Sequence, residues 1–324
     1  MVMAEANIYE QNSSTLKVDM KDGNFSDISD IIELSPKVGE QYIFVATLTN
    51  FGEKPIAVSV SPSIGISTKV SINYVEKSEN LTNDDYNLTN YLNIEPIDKK
   101  FEDGILELDA RESVDVSIYL NIDKEIDGEI IGGINFAQVT KSQGSSEKKV
   151  YQKVVIVRLQ MNGTEMGQKP QTYSNFEFTT IENVVSLSYY VYNNTPFLSK
   201  IDRGTYQVIN PSKMVVAEGY LNEDIILTPY TRLQLNASLI DEAKLTSGDY
   251  KFVVCNGTKE VAFPFTYSKA KINELKNNIE SSINHVRVES KSSQAFIATT
   301  LFFLAIIIFT LIVFRFIREN FRSK

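Results

Sequence analysis

Apolar and polar side chains alternate with a period of two along much of the first 160 residues. The clearest run extends from Val114 to Ile122, where Val116, Ile118 and Leu120 are separated by polar or aromatic residues. Such alternation is typical of a strand in a sheet that buries one face. Similar runs occupy residues 42–49, 56–61 and 151–159. Short strands without intervening helices predict an immunoglobulin-like β-sandwich over residues 27–159, preceded by an extended polar segment, 1–26.

The alternation stops in a segment that collects turn-forming residues. Residues 160–172 contain Pro170 and two glycines and have no periodicity, which is typical of a linker between domains. The alternation then resumes, and residues 173–267 are predicted to form a second β-sandwich. Pro264 lies on the outward phase of the last strand, which predicts an edge strand because proline cannot donate to a ladder. The sequence therefore predicts a mainly β chain with two tandem immunoglobulin-like β-sandwiches.

The hydrophobic period changes after the second sandwich. Over residues 268–294 the apolar residues recur at intervals of three and four, as on one face of a helix. These residues are Ile272, Leu275, Ile279, Ile283 and Val286. The stripe fits either a stalk that pairs with another helix or a solitary juxtamembrane helix. The solitary helix is favoured because the repeat is short and contains Asn277, Asn278 and Asn284, which are poor helix formers.

Residues 295–314 form an apolar run without charge, glycine or proline, interrupted only by Thr299, Thr300 and Thr310. A helix of this length, rising about 1.5 Å per residue, spans roughly 30 Å, the thickness of a bilayer's hydrocarbon core. The basic tail, 315–324, follows this predicted transmembrane helix. Because positive flanks stay in the cytoplasm, we expect a single-pass protein of the cell membrane. Its N-terminal bulk would lie outside the cell, in the cell wall, and its C-terminus in the cytoplasm.

The N-terminal residues do not form a complete signal peptide, since Met1 to Asn7 has neither a cationic region nor an apolar core. We expect export all the same, with Ala4 and Ala6 as the remnant of an A-x-A cleavage site behind a leader. The alternative is a tail-anchored protein whose bulk stays in the cytosol.

The composition disfavours nucleic-acid binding and the familiar catalytic centres. The formal net charge is -9 and the pI about 4.9, whereas nucleic acids require a basic surface. The single Cys255 cannot close an internal disulfide, and the single His285 lies far from any candidate nucleophile. Zinc and nucleotide motifs do not occur in the sequence. We therefore predict a non-catalytic protein without metal or cofactor; a cell-wall glycan hydrolase with an unrecognised carboxylate pair is the less favoured alternative.

One acidic run, Asp123 to Glu129, has oxygen-bearing side chains at alternate positions and glycine at the sixth, as in a calcium loop. Its third position is Glu125, and its twelfth is Ile134, which cannot supply the bidentate carboxylate. A solvated turn between two strands is the favoured interpretation.

The next segment carries the most specific motif of the chain. Residues 128–136, GEIIGGINF, resemble the G-x-I-x-G-G-I-x-F strand of the WxL-interacting proteins of Gram-positive bacteria. Weaker matches are LSPKVG at 34–39 to the family's early P-G turn, 50–55 to its N-x-x-x-x-P turn, Tyr74 to its tyrosine after an isoleucine, and LTSGDY at 245–250 to its L-x-P-G-x-Y. The resemblance covers residues 27–324, including the apolar run and basic tail.

The resemblance implies a peptidoglycan-binding first domain, a second domain that binds host ligands such as extracellular-matrix proteins, and association with secreted WxL-domain proteins. Its motif supplies four candidate partner-binding residues: Gly132, Gly133, Asn135 and Phe136. Glycines weaken a strand unless the backbone bulges or something packs close to it, and we favour a bulge at a sandwich corner over direct ligand contact.

The predicted function is that of a membrane-anchored surface adaptor or adhesin. The alternative is a chaperone-like subunit that holds an exported partner by strand addition at an exposed edge.

Overall fold

A computed structural model describes residues 14–275, with gaps at 25, 29, 103, 142–146, 163–170, 182–183, 241–243 and 258. The protein is mainly β, as the sequence pattern predicts. In the first half the strands are β1 (Leu16–Asp22), β2 (Asp27–Ile28), β3 (Ile31–Leu34), β4 (Gln41–Asn50), β5 (Ile56–Ser67), β6 (Ile72–Val75), β7 (Leu92–Pro96), β8 (Ile105–Leu108), β9 (Ser113–Asn121), β10 (Glu129–Lys141) and β11 (Glu147–Gln160). In the second half they are β12 (Thr172–Ile181), β13 (Val184–Tyr192), β14 (Ser199–Lys200), β15 (Gly204–Ile209), β16 (Val215–Leu221), β17 (Ile226–Leu227), β18 (Arg232–Ser238), β19 (Gly248–Asn256) and β20 (Lys259–Tyr267).

Two sheets enclose the first hydrophobic core. One has the strand order β2-β1-β4-β9-β7, and the other has the order β3-β11-β10-β5-β6, with β8 pairing to β5. Leu48 and Ile118 from the first sheet and Phe136 and Val155 from the second are completely buried. The inward phase of each alternating strand thus fills one core, as expected of a β-sandwich.

The second half repeats this plan. Its sheets have the orders β12-β13-β18 and β16-β15-β19-β20, and β14 pairs with β17. The strands of the two sandwiches correspond in pairs: β4 to β13, β5 to β15, β9 to β18, β10 to β19 and β11 to β20. Its core is separate from the first and is built largely from aromatic side chains, including Tyr250 and Phe252, which are completely buried.

The first sandwich begins earlier in the chain than the sequence analysis expects. Residues 1–26 were predicted to be an extended segment that precedes the first sandwich, whereas β1 lies within them and pairs with β4. Leu16, Val18 and Met20 are buried in the first core. The predicted boundary at residue 27 missed this strand because Lys17, Asp19 and Lys21, on the outward phase of β1, make the whole segment look polar, although Leu16, Val18 and Met20 are apolar.

Two buried asparagines end equivalent strands of the two sandwiches. At the end of β4, the amide nitrogen of Asn50 donates to the carbonyl oxygens of Lys54, Leu108 and Asp109. After β13, the amide nitrogen of Asn193 donates to three carbonyl oxygens in the same way, those of Phe197, Leu227 and Thr228. Each asparagine therefore ties the turn after its strand to a second chain segment.

The segment Leu245 to Tyr250 forms a tyrosine corner, a feature of Greek-key sandwiches. The hydroxyl of Tyr250 donates to the carbonyl oxygen of Thr246 at 2.7 Å and accepts from the Thr246 N–H at 3.0 Å. Gly248, with φ 135°, makes the turn between them. The motif at 245–250 thus has a structural explanation of its own.

The two sandwiches meet at a polar and aromatic junction. The Glu129 N–H donates to the Pro196 carbonyl oxygen at 2.7 Å, and the rings of Tyr86 and Tyr230 lie 4.5 Å apart. Gly128 has φ 83°, and a Cβ there would lie 2.0 Å from the Pro196 oxygen. Only glycine can therefore occupy this position without moving the second sandwich.

Within the predicted juxtamembrane helix, residues 269–275 form a helix, α1. Ile272 and Leu275 are buried in the second core, so this part of the stripe packs on the preceding sandwich. The rest of the stripe, the predicted span 295–314 and the tail lie outside the described residues. Among the helices that are described, none has the length and apolar character needed to cross a bilayer.

Candidate functional site

One edge of β11 is only half covered. On that side, β3 pairs in parallel with Ile156, Val157, Arg158 and Leu159. No described strand pairs with the same side of residues 147–155, while their other side follows β10 with a bulge at Val150. The first sandwich thus has an open strand edge in line with β3.

The alternation of the backbone identifies the free groups on this edge. The Ile156 N–H donates to the Asp30 carbonyl oxygen, so it points away from β10. In a strand, N–H and C=O groups of alternate residues point the same way. The N–H and C=O groups of Gln152 and Val154 therefore point to the open side, where they can accept and donate hydrogen bonds.

Three other edge strands, β20, β12 and β16, carry groups that remove or occupy backbone atoms. In β20, Pro264 lacks an N–H, and the strand pairs with β19 alone among the described strands, as predicted for an edge. On β12, the Tyr267 hydroxyl donates to the Phe178 carbonyl oxygen at 3.3 Å. On β16, the Val216 carbonyl oxygen accepts from the Ile240 N–H at 2.8 Å. These devices hinder pairing with a further strand.

The Gly-Gly pair lies in the regular part of β10. Gly132 and Gly133 pair in register with β5 and β11, and the bulge of this ladder comes later, between Gln138 and Val139. The expectation of a bulge at the glycines was wrong. At a bulge, two residues of one strand oppose a single residue of its neighbour, whereas both glycines are paired one to one. Close packing is therefore the explanation for both residues.

The two glycines face opposite sides of the sheet. A Cβ on Gly132 would lie 2.3 Å from the Ser63 carbonyl oxygen and 2.6 Å from Leu88. A Cβ on Gly133 would lie 2.8 Å from Val154 and 3.2 Å from Tyr74. The contact with Tyr74 is made by the ring carbon Cδ1, and burial raises the pKa of this tyrosine to about 12.

Asn135 and Phe136, the other two candidate residues, are also inside the domain. Asn135 is 2% exposed, and its amide oxygen accepts from the Ser63 hydroxyl at 3.4 Å. Phe136 is completely buried in the first core. A role of the four motif residues in partner binding stays a prediction, and their side chains pack within the first sandwich.

A polar cleft of about 500 Å³ lies on the outer face of the first sheet. Tyr119 lies within it, between its cross-strand neighbours Asn93 and Ile43. The cleft is lined by Gln41, Asn90, Tyr91, Leu92, Asn93, Glu95, Tyr119, Asn121 and Asp123. It thus combines an aromatic ring with amides and carboxylates, and no cationic residue lines it. The sequence contains a signal for this cleft, since Tyr119 is an aromatic residue on the wet phase of β9.

The acidic run 123–129 lies at the domain junction. The Asp127 carbonyl oxygen accepts from the Tyr86 hydroxyl at 2.8 Å, and the Glu129 carboxylate pairs with Arg158 at 2.6 Å. Within the described ranges, no three His, Cys, Asp or Glu side chains are arranged to hold a metal ion. His285 lies outside these ranges, and the hydrolase alternative stays a hypothesis.

The chain matches no family model and no curated protein. Among solved structures, it is similar to the CsuC–CsuE chaperone–tip adhesion subunit complex from archaic chaperone-usher Csu pili of Acinetobacter baumannii. That match has 14% identity and a TM-score of 0.29, and covers 72% of this chain and 93% of the other. The Escherichia coli chaperone DraB is similar at 12% identity and a TM-score of 0.26, over 78% of this chain and 96% of DraB. At TM-scores of this size, the neighbours determine neither the fold nor the function of this chain.

Proposed function

We propose that this protein is a non-catalytic binding protein whose first sandwich takes up an extended segment of a partner by β-strand addition. The observation that carries the proposal is the open edge of β11, where Gln152 and Val154 present backbone N–H and C=O groups that pair with none of the described strands on that side. Unpaired edge groups form the same hydrogen bonds with an added strand as with a neighbour in the chain.

The position of β3 supports this edge over the others. β3 is four residues long and begins beside Ile156, so an added strand can extend its line in the other direction along residues 147–155. Residues 147–155 contain no proline, in contrast to β20 in the equivalent place of the second sandwich. Main-chain hydrogen bonds would provide affinity, and the side chains flanking the edge would provide selectivity.

The resemblance to WxL-interacting proteins makes a WxL-domain protein the partner that we propose for this edge. In the same proposal the apolar run 295–314 tethers the chain to the cell membrane, with the two sandwiches in the cell wall and the basic tail in the cytoplasm. Host extracellular-matrix proteins are the proposed ligands of the second sandwich.

The replacement Gln152→Pro tests strand addition. Proline removes an N–H that points away from β10, so the internal ladder keeps its hydrogen bonds while the edge loses a donor. We expect the affinity of the full-length chain for a purified WxL domain to fall about tenfold or more, measured by surface plasmon resonance. The side chain of Gln152 is exposed, and Gln152→Ala, which keeps the N–H, is the matched control.

Hydrogen exchange provides a second readout of the same test. Binding should slow exchange of the Gln152 and Val154 amides, because they become donors to the added strand. A WxL domain that binds Gln152→Pro as tightly as the unchanged chain would contradict strand addition at this edge. A WxL domain that does not bind the unchanged chain would contradict the choice of partner.

The cleft around Tyr119 favours a second candidate function, the binding of a neutral glycan such as that of peptidoglycan. Amides can both donate to and accept from sugar hydroxyls, carboxylates accept from them, and an aromatic ring packs on the apolar face of a sugar. Glu95 and Asp123 would repel an anionic ligand, and the nearby Lys124, which lies over the ring of Tyr91, is already paired with Asp85.

The replacement Tyr119→Ala tests glycan binding. We expect the retention of the chain on insoluble peptidoglycan to fall about tenfold, because stacking on an aromatic ring contributes about 1 kcal/mol beyond its buried area. Tyr220→Ala is the matched control, since Tyr220 is an 87% exposed tyrosine of the second sandwich, outside the cleft. Equal retention of the Tyr119→Ala variant and the unchanged chain would contradict this candidate.

A further inference from the structure

We propose that Lys153 selects the segment that binds to the open edge of β11, and that this segment carries a carboxylate facing Lys153. The inference rests on the proposed strand addition and names the chemistry of the added strand. The sequence around Lys153 does not distinguish it from the other lysines of the chain. Its position in the sandwich distinguishes it.

Lys153 points into the interior of the sandwich at its lateral opening. It lies on the same face of β11 as Val155 and Val157, which are buried in the first core. Its cross-strand neighbour on β10 is the completely buried Phe136. The side chain of Lys153 is only 29% exposed. A charge on the inward face of a strand is unusual and needs polar partners.

The ammonium group of Lys153 has two described acceptors, and both lie outside β11. It donates to the Val18 carbonyl oxygen of β1 at 3.3 Å and pairs with the Asp30 carboxylate at 3.1 Å. The Asp30 side chain is 75% exposed, so this ion pair is largely solvated and contributes little to stability. Lys153 therefore spans the gap between β11 and β1 with two weak contacts.

An added strand would change both contacts. A strand that pairs with Gln152 and Val154 lies beside β11 in the gap towards β1, which separates Lys153 from the Val18 oxygen. It also removes water from the ammonium group. A buried ammonium without an acceptor is costly, whereas a carboxylate on the added strand restores a hydrogen-bonded ion pair. An acidic segment is therefore favoured over a neutral one, and a basic segment is excluded by repulsion.

Three synthetic peptides test this selectivity. Each has about nine residues, the length of 147–155, alternates threonine and valine, and carries glutamate, glutamine or lysine at its centre. Affinities for the full-length chain are measured by isothermal titration calorimetry. We expect the glutamate peptide to bind about tenfold more tightly than the glutamine peptide, and the lysine peptide to bind most weakly.

Two substitutions of Lys153 complete the test. In Lys153→Gln the preference for the glutamate peptide should disappear, and in Lys153→Glu it should reverse in favour of the lysine peptide. Lys251→Gln, which removes an exposed lysine of β19, should leave the preference unchanged. The melting temperature of each variant shows that it is folded.

The outcomes separate the selectivity from the strand addition on which it rests. Equal binding of the three peptides, or no binding of any, would overturn the selectivity. Dimerisation of unliganded Lys153→Gln with an unchanged peptide preference would also overturn it, because Lys153 would then be a guard against edge-to-edge pairing. Peptide binding that survives Gln152→Pro would instead overturn strand addition itself.

Discussion

Replacing Asn50 by Ala should lower the free energy of unfolding by about 4 kcal/mol, because each buried polar group left without a partner costs about 1–3 kcal/mol. Asn50 is 0% exposed. Its amide nitrogen donates to three carbonyl oxygens, and its amide oxygen accepts from the Gly52 N–H at 2.9 Å. Alanine removes all four hydrogen bonds and offers the freed groups no substitute.

Urea denaturation followed by circular dichroism measures this effect, and the second sandwich provides a parallel case. Asn193 is 2% exposed and makes the corresponding set of bonds, so Asn193→Ala should destabilise the second sandwich to a similar extent. The control is Asn73→Ala, at an exposed position of β6, which should change stability by less than about 0.5 kcal/mol. Similar stabilities of the Asn50 and Asn73 variants would contradict the structural role of Asn50.

Replacing Gly132 by Ala should cost about 3 kcal/mol of stability, the upper end of what overpacking costs in a dense core. The added Cβ would lie 2.3 Å from the backbone oxygen of Ser63, and this atom cannot move without opening the ladder between β5 and β10. Gly133→Ala should cost less, about 1 kcal/mol, because its nearest neighbour is the Val154 side chain at 2.8 Å, which can adjust.

Two measurements on both glycine variants test the packing explanation: thermal unfolding and the affinity for a WxL domain. Ser59→Ala, on the same ladder, is the control for a small change in β5. We expect the melting temperature to fall more for Gly132→Ala than for Gly133→Ala. A Gly133→Ala variant that loses partner binding at an unchanged melting temperature would instead indicate direct contact of this residue with the partner.

The alternation of side chains was sufficient to predict strands, and the prediction of a mainly β chain is confirmed. It succeeded best where one phase is entirely apolar, as in β9, whose Val116, Ile118 and Leu120 are completely buried. It failed in β1, where the outward Lys17, Asp19 and Lys21 concealed an inward row of apolar residues. Composition over a segment was misleading there, because burial is decided by alternate positions and not by the average.

The Gly-Gly motif shows a second limit. Glycine in a strand indicates either a bulge or a close neighbour, and the sequence alone favoured the bulge. The structure has the close neighbours, Leu88 on one face and Val154 on the other. Both come from distant parts of the chain, so no local pattern around Gly132 could have identified them.

The sequence by itself determined which residues face inwards in strands with clear alternation, such as β9, because a period of two requires only that one face of a strand be apolar. It determined neither the open edge of β11 nor the position of Lys153 at the lateral opening. Those features depend on which strands lie side by side, and pairing is made by backbone groups that are the same in every residue except proline. Among the described strands, β3 covers Ile156–Leu159 and does not reach Gln152 and Val154. Only the tertiary structure brings these distant segments together and so decides where an edge begins.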